Sequence, residues 1–343
     1  MTNKKKITIK DIANVLGLSP SAISKALNDD SRISEKTKIA VRQVAKDLNY
    51  QPNHLASALR SGKSKLVGVI IPRNNSSFFS SVLESIEEVL NKKGYNIIIT
   101  QSNESYKKEC KSIESLLFTQ VDGIIASMAN ETNDFSYYQK IKDKGIPLVL
   151  FDRGELSLEV DYVGNDDYES SFKVIEHLVG QGCKRIAHMG GFYETKVYGN
   201  RINGYVDALK KQGLEVDDDI ISKSKLRITD GRSIMENLLK LPNRPDAVYA
   251  AGDFAALGAL QVLLENKIKV PEEIALVGFS NEPFTSYVNP PISTINQKSE
   301  QIGKLAAKAF LERIDNPIEK DAINKIIIET ELLVRASSLR SNE

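Results

Sequence analysis

The sequence predicts an all-α helix-turn-helix headpiece followed by an α/β body built on parallel sheets. Three observations predict it. First, three short helices, each with its own start signal, follow one another within residues 1–52. Second, from Leu66 onward short β-branched runs alternate with amphipathic stretches of about ten to fifteen residues, the pattern of βαβ units. Third, residues 1–65 hold 13 Lys/Arg against 5 Asp/Glu, net +8, and the rest hold 33 against 40, net −7. The overall charge of +1 therefore conceals a basic end on an acidic body, which suits a protein that presents one end to phosphate.

The headpiece elements are justified in chain order. Thr8 caps the first helix, with Asp11 three residues on as the return partner of a capping box. Ile9, Ile12, Ala13 and Leu16 form its apolar stripe, and Gly17 stops it. Only Gly17 and Leu18 precede Ser19, a good N-cap, and Pro20, which suits a first helical position. So tight a turn between two helices is the helix-turn-helix signature. On the second helix Ala22, Ile23, Ala26 and Leu27 face inward. Ser21, Ser24, Lys25 and Asn28 form the outward face, able to hydrogen-bond base edges or phosphates. Ser34 and Glu35 start a third helix whose Val41, Val44 and Leu48 complete a small core, and Tyr50-Gln51-Pro52 ends it. Residues 53–62 carry a cap, Asn53, and a stop, Gly62, around two turns that are too short to be helical alone.

The body yields strand candidates at 66–72, 95–100, 121–127 and 147–152, then at 185–191, 247–251 and 274–280. Seven such runs imply two sheets rather than one. Asp152 ends the fourth run, and Asn130 and Asn165 are placed at further strand ends. In open α/β sheets ligands bind at the carboxyl ends of strands.

Composition limits the chemistry. Cys110 and Cys183 are too few and too far apart for a disulfide framework or a zinc site, so a reducing compartment is expected. Lys4-Lys5-Lys6 is followed by no apolar core, and no run reaches the length of a membrane helix, so the expected location is cytoplasmic, with no membrane partner. Gly62-Lys63-Ser64 has the tail of a phosphate-binding loop, but Ser57 stands where its first glycine belongs. His54, His177 and His188 lie far apart with no nucleophile beside them, and His188 reads as a hydrogen-bonded core residue. No enzyme activity, cofactor or metal is expected.

The run Thr8-Ile9-Lys10-Asp11-Ile12-Ala13, then Gly17-Leu18-Ser19, Ile23-Ser24, Leu27-Asn28 and Tyr50-Gln51-Pro52-Asn53, resembles the N-terminus of the LacI/GalR family of bacterial transcription regulators. The resemblance continues through Asp152-Arg153 and Gly278-Phe279 to Val334-Arg335-Ala336-Ser337-Ser338. It implies a headpiece at 1–52, a hinge helix and linker at 53–65, and an effector-binding and dimerisation domain at 66–343. That domain would be two Rossmann-like lobes of periplasmic-binding-protein type, joined by three crossings near Asn165, Asn289 and Lys325. The first lobe would hold about 66–165 and 290–325, the second about 166–289 and 326–343.

The resemblance also implies roles. Thr8, Ser19, Ser21, Ser24, Lys25, Asn28, Asn53, His54, Ala56, Leu59 and Arg60 would contact a pseudo-palindromic DNA operator, with Leu59 as a minor-groove wedge. Phe78, Phe79, Asn130, Asp152, Asn165, Arg201, Leu226, Asp253 and Ser280 would hold a small sugar-like effector. The phenylalanines, in the loop after the first strand, would stack on the ligand. The Arg201 guanidinium would grip it, unless Arg201 and Asp152 pair with each other. The expected function is a homodimeric regulator, a repressor of carbohydrate-utilisation genes. A phosphorylated carrier protein is the alternative trigger, and a transport-type solute-binding protein the remoter reading. Pro20, Ala22 and Lys25 depart from residues that relatives place on DNA. Ser280 stands where several relatives have an aspartate, and Leu226 where some have an aromatic. Neither operator nor effector transfers across these departures.

Overall fold

The computed structural model describes residues 7–50, 62–192, 195–315 and 323–340. The hinge candidates Asn53, His54, Ala56, Leu59 and Arg60 lie outside the described residues. The chain divides into two compact units, Met1–Ser64 and Lys65–Glu343.

In the first unit, α1 (Ile9–Leu16), α2 (Pro20–Leu27) and α3 (Glu35–Asp47) close a small bundle. The backbone N–H and the hydroxyl of Thr8 both donate to Asp11 Oδ2 at 2.7 Å, fixing the start of α1. Gly17 ends it at φ 63°, a left-handed conformation that costs glycine little and other residues more. Ser19 Oγ accepts from the Ala22 N–H at 3.1 Å, and Pro20 follows as the first helical residue. Ile12, Ile23, Ala26 and Val41 are fully buried between the three helices. Each of the larger apolar side chains contributes about 1.5–3 kcal/mol by leaving water.

One outward assignment on α2 is corrected. Ser24 is buried. At about 100° per residue it stands one step from Ile23, on the flank of the inward arc. Ser21, Lys25 and Asn28 stand roughly 140–200° from Ile23. Ser21 and Asn28 are exposed and Lys25 half-buried. The Asn28 side-chain N–H donates to the Ser24 carbonyl at 2.8 Å, so part of its capacity is used in ending the helix.

The second unit contains two six-stranded sheets of matching topology. In the first, β1 (Leu66–Ile71), β2 (Asn96–Gln101), β3 (Gly123–Ala126), β4 (Leu148–Phe151), β5 (Asp161–Asn165) and β11 (Lys325–Ile328) run in the order β2-β1-β3-β4-β5-β11. The second contains β6 (Ile186–Gly190), β7 (Ile221–Lys223), β8 (Ala247–Ala250), β9 (Ala275–Phe279), β10 (Ser293–Asn296) and β12 (Glu331–Leu333). These lie in the order β7-β6-β8-β9-β10-β12. All pairings are parallel except that of β12 with β10. Apolar clusters cover both faces of each sheet, which is why β3, β4, β6, β8 and β9 are buried from end to end.

Helices α4 (Ser77–Asn91), α5 (Tyr106–Phe118), α6 (Ser136–Asp143) and α11 (Ser299–Asp315) pack with the first sheet. Helices α7 (Asp167–Gly180), α8 (Lys196–Lys211), α9 (Ile228–Leu238) and α10 (Asp253–Glu265) pack with the second. The chain changes lobes after Asn165, between β10 and α11, and between β11 and β12. The crossing expected near Asn289 therefore falls beyond Asn296. The reason is that β10 pairs with β9, Ser293 beside Val277, and so stays in the second lobe. The crossing expected near Lys325 falls after Ile328, because β11 pairs with β5 from Tyr162 to Asn165.

Candidate functional site

The carboxyl ends of the two sheets meet across a cleft, where strand order reverses between β1 and β3 and again between β6 and β8. One cavity there is lined by Phe78, Phe79, Asp152, Arg201, Leu226, Asp253 and Ser280, together with Arg73, Ser76, Arg153, Tyr198, Glu282 and Gln297. Phe78 and Phe79 belong to the first turn of α4 rather than to a loop. Ser76 precedes them as N-cap. The two rings meet edge to face at 5.1 Å, and Phe79 meets Phe151 at 6.3 Å, so the pair is anchored in the core while lining the cavity.

Asp152 follows β4 in a left-handed conformation, φ 56°, which turns the chain at the cavity wall. Burial pushes its carboxyl up from the ordinary range, opposed by the charges of Arg153 and Arg201. Arg201 does not pair with Asp152. From α8 its Nε donates to Asp167 Oδ1 at 2.8 Å and its Nη1 to the Ala251 carbonyl at 2.9 Å. The guanidinium lies 3.5 Å from the centre of the Phe279 ring. The Tyr198 ring centre lies 5.3 and 5.7 Å from the guanidinium carbons of Arg201 and Arg153.

Asp253, the first residue of α10, is engaged on both oxygens. Oδ2 accepts from the Glu282 N–H and Oδ1 from the Thr294 hydroxyl, each at 2.7 Å. Gly278 on β9 makes this possible, because a Cβ there would lie 2.1 Å from Asp253 Oδ1. Glu282 in turn reaches the opposite lobe. Its Oε1 accepts from Ser76 Oγ at 2.7 Å, and the Ser77 N–H lies 3.2 and 3.1 Å from its two oxygens. A carboxylate thus caps the N-terminus of a helix across the cleft, where the helix dipole favours it.

Comparison with known proteins agrees with this arrangement. Residues 8–53 match the family described as bacterial regulatory proteins, lacI family. Residues 64–336 match periplasmic binding proteins and sugar binding domain of LacI family. The chain belongs to the LacI family. It is 31% identical to the probable HTH-type transcriptional repressor ExuR of Bacillus subtilis, over 97% of this chain and 99% of that one. Identity is 28% with the HTH-type transcriptional repressor PurR of Mannheimia succiniciproducens, over 96% and 98%. A CelR–cellobiose complex superposes with TM-score 0.73 at 26% identity, covering 97% of this chain and all of that one. The lac repressor dimer bound to operator and anti-inducer shares the fold, with TM-score 0.88 at 21% identity, over 98% and 100%.

Two of the candidates for the cleft of this LacI-family regulator lie outside the inner cavity. Asn130 lines a wider adjoining opening, and the Thr195 hydroxyl donates to its Oδ1 at 3.2 Å across the lobes. Asn165 is a structural tie. Its Nδ2 donates to the carbonyls of Gln297, at 3.2 Å, and Ile328, at 2.9 Å, so one amide holds all three crossings. His188 is buried, stacked on Tyr205 at 4.9 Å, and burial pushes its pKa down to about 3, keeping it neutral. Among the described residues no group of three or more His, Cys, Asp or Glu could hold a metal, and no helix is long and apolar enough to cross a membrane.

Sequence reading missed Asp167, Ser76, Glu282, Tyr198 and Arg73. Ser76 carried a usable signal, since a serine ahead of an apolar helical stretch is an N-cap and would have put Phe78 and Phe79 on a helix. The others depend on long-range contacts. Replacing Glu282 by Ala should leave the α4 amides without their cross-lobe cap, a loss of about 1–2 kcal/mol. The expected result is faster hydrogen–deuterium exchange at Ser77–Phe79. Unchanged exchange there would show that Glu282 does not hold the lobes together.

Proposed function

We propose that this LacI-family chain is a homodimeric transcriptional repressor of carbohydrate-utilisation genes, relieved or enforced by a small sugar-like effector in the inter-lobe cleft. The observation that carries the reading is the cavity itself. It is walled by both lobes at the carboxyl ends of two matching sheets, and the Glu282–Ser76 bond bridges its sides. A molecule that changes the lobe spacing must remake that bond, which gives it differential affinity for two lobe arrangements. The relative solved with cellobiose and the sugar-binding description of the matched domain support a carbohydrate.

In this reading Ser21, Lys25 and Asn28 on the outward face of α2 read the operator. The capping residues Thr8 and Ser19 place backbone and side chain near phosphate, and residues 53–62 transmit the lobe arrangement.

The test uses the full chain and a pseudo-palindromic duplex selected in vitro. Fluorescence anisotropy should show affinity falling steeply with salt from counterion release. A panel of neutral and charged sugars should contain a member that shifts the operator titration, and a panel without one would remove the effector half of the reading. Lys25→Ala should weaken specific binding by about 1–3 kcal/mol if it reads a guanine. If Lys25 touches only phosphate, affinity for all duplexes should fall together. An unchanged titration would place Lys25 off the DNA.

A further inference from the structure

The cleft carries positive charge that is only partly matched among the described residues. Among the described residues, seven buried side-chain polar atoms lack a hydrogen-bond partner, and only Arg73 Nε and Arg153 Nε belong to cations. Both residues line the same cavity. Each stands two positions beyond a strand of the first lobe, Arg73 after β1 and Arg153 after β4. A buried donor without an acceptor is costly, and more so when charged. Two of them on residues that line one cavity mark a place where an acceptor belongs.

Arg153 is partly balanced. Its Nη1 meets Glu104 Oε2 at 2.7 Å, and Asp152 Oδ2 lies 3.8 Å from its Nε. Arg73 forms no ion pair among the described residues. It also lines the wider outer opening, of about 770 Å³, where Lys225 and Arg227 of the second lobe are exposed and likewise without an ion pair among the described residues. Glu131 is the carboxylate on that opening besides Glu104, and it accepts from the Tyr106 N–H at 3.3 Å. Of the acids on the inner cavity, Asp253 and Glu282 are committed to internal hydrogen bonds on strong geometry, whereas Asp152 accepts only a long bond, from the Ser127 hydroxyl to Oδ2 at 3.4 Å, which leaves its Oδ1 to accept from a ligand. The site therefore offers a hydroxyl acceptor on the inside and, toward the mouth, cations without an ion pair among the described residues.

We propose that the effector is an anionic carbohydrate, carrying a carboxylate or a phosphate held by Arg73, with its hydroxyls donating to Asp152. Arg153 supplies a second donor to the anion, and Lys225 and Arg227 draw it in from the outer opening. This rests on the cleft being the effector site. Guanidinium is suited to the task because its planar fork matches both carboxylate and phosphate geometry.

Calorimetry and thermal shift on the full chain test it with matched sets: a neutral hexose, its uronate and its 6-phosphate, in the gluco, galacto and manno series, plus neutral disaccharides. One anionic member should bind roughly tenfold to a hundredfold more tightly than its neutral parent. A uronate response assigns a carboxylate, and a 6-phosphate response a phosphate. Arg73→Gln should remove most of that preference and Arg73→Lys should retain part of it, with melting of the ligand-free variants confirming that both fold. A neutral parent that binds as well as its anions overturns the proposal, as does a preference that survives Arg73→Gln. If neutral sugars bind and no anion does, the anionic assignment fails while the cleft reading stands. If no sugar of any kind binds, the cleft reading fails and the anionic assignment falls with it.

Discussion

Arg201→Ala should lower the melting temperature of the protein by roughly 6–20 °C, through a loss of about 3–5 kcal/mol in the second lobe. Arg201 and Asp167 are each only 5% exposed at the side chain, and their bond at 2.8 Å is the second lobe's buried ion pair beside the cleft. Removing the guanidinium leaves the Asp167 carboxylate without its countercharge and the Ala251 carbonyl without a donor. It also opens a void over the Phe279 ring. Burial already pushes Asp167 up to about 6 against the pull of Arg201, so without that pull the group takes up a proton or draws in water. Breaking a buried pair is costly because of the charge left behind, whereas replacing both members need not be. The double variant Arg201→Met with Asp167→Leu should therefore recover much of the lost stability. A melting temperature unchanged in the single variant would mean that solvent reaches Asp167. Any loss of effector response in Arg201→Ala has to be read against this destabilisation, because Nε and Nη1 are committed to the lobe.

A pH effect of comparable size is expected from Asp253. Burial pushes its pKa up to about 7, opposed by the hydrogen bonds from the Glu282 N–H and the Thr294 hydroxyl and aided by the Glu282 charge. The folded state thus holds this proton more tightly than the unfolded chain. Its stabilising contribution is full below the ordinary aspartate range and is lost as the pH rises through about 7. A shift of that size corresponds to a contribution on the order of 4 kcal/mol. Asp253→Asn resembles the protonated acid at every pH. Urea unfolding at pH about 4.5 and about 7.5 should show the variant gaining on the parent as the pH rises. Whatever hydrogen bond the amide disturbs costs the same at both values and cancels in the comparison. Parallel pH profiles for the two proteins would mean that Asp253 is ionised throughout. Asp167 adds a smaller effect of the same sign, centred nearer 6.

Much of the fold was legible because the signals are local. Thr8 with Asp11, Gly17, and Ser19 with Pro20 fix helix ends through hydrogen bonds and backbone preferences that span at most a few residues. The central strands of both sheets are covered on both faces, so they appear as unbroken apolar runs. The strands that escaped notice lie at or next to a sheet edge. β7, β11 and β12 are edge strands with half-exposed patterns, and β5 and β10 stand one place in, the first starting at an aspartate and the second reading Ser-Thr-Ile-Asn. β10 and β11 carry the second and third crossings further along the chain than the resemblance implies.

The cleft divides the same way. Residue types at strand ends, Asp152 among them, could be singled out from sequence because topology alone sends those ends to the ligand side, whereas Asp253 came only with the family resemblance. What each side chain does there was decided by partners more than twenty residues away. Arg201 meets Asp167 rather than Asp152, Asn165 ties Gln297 to Ile328, and Glu282 caps a helix of the other lobe from a position 205 residues distant. By itself the sequence determined the headpiece, the parallel sheets and the family, since caps, periodicity and strand ends are written in neighbouring residues. Only the tertiary structure decided which charges are spent on holding the lobes and which are not. Pairing between buried charges depends on distance in space and on exclusion of water, and neither is encoded by spacing along the chain.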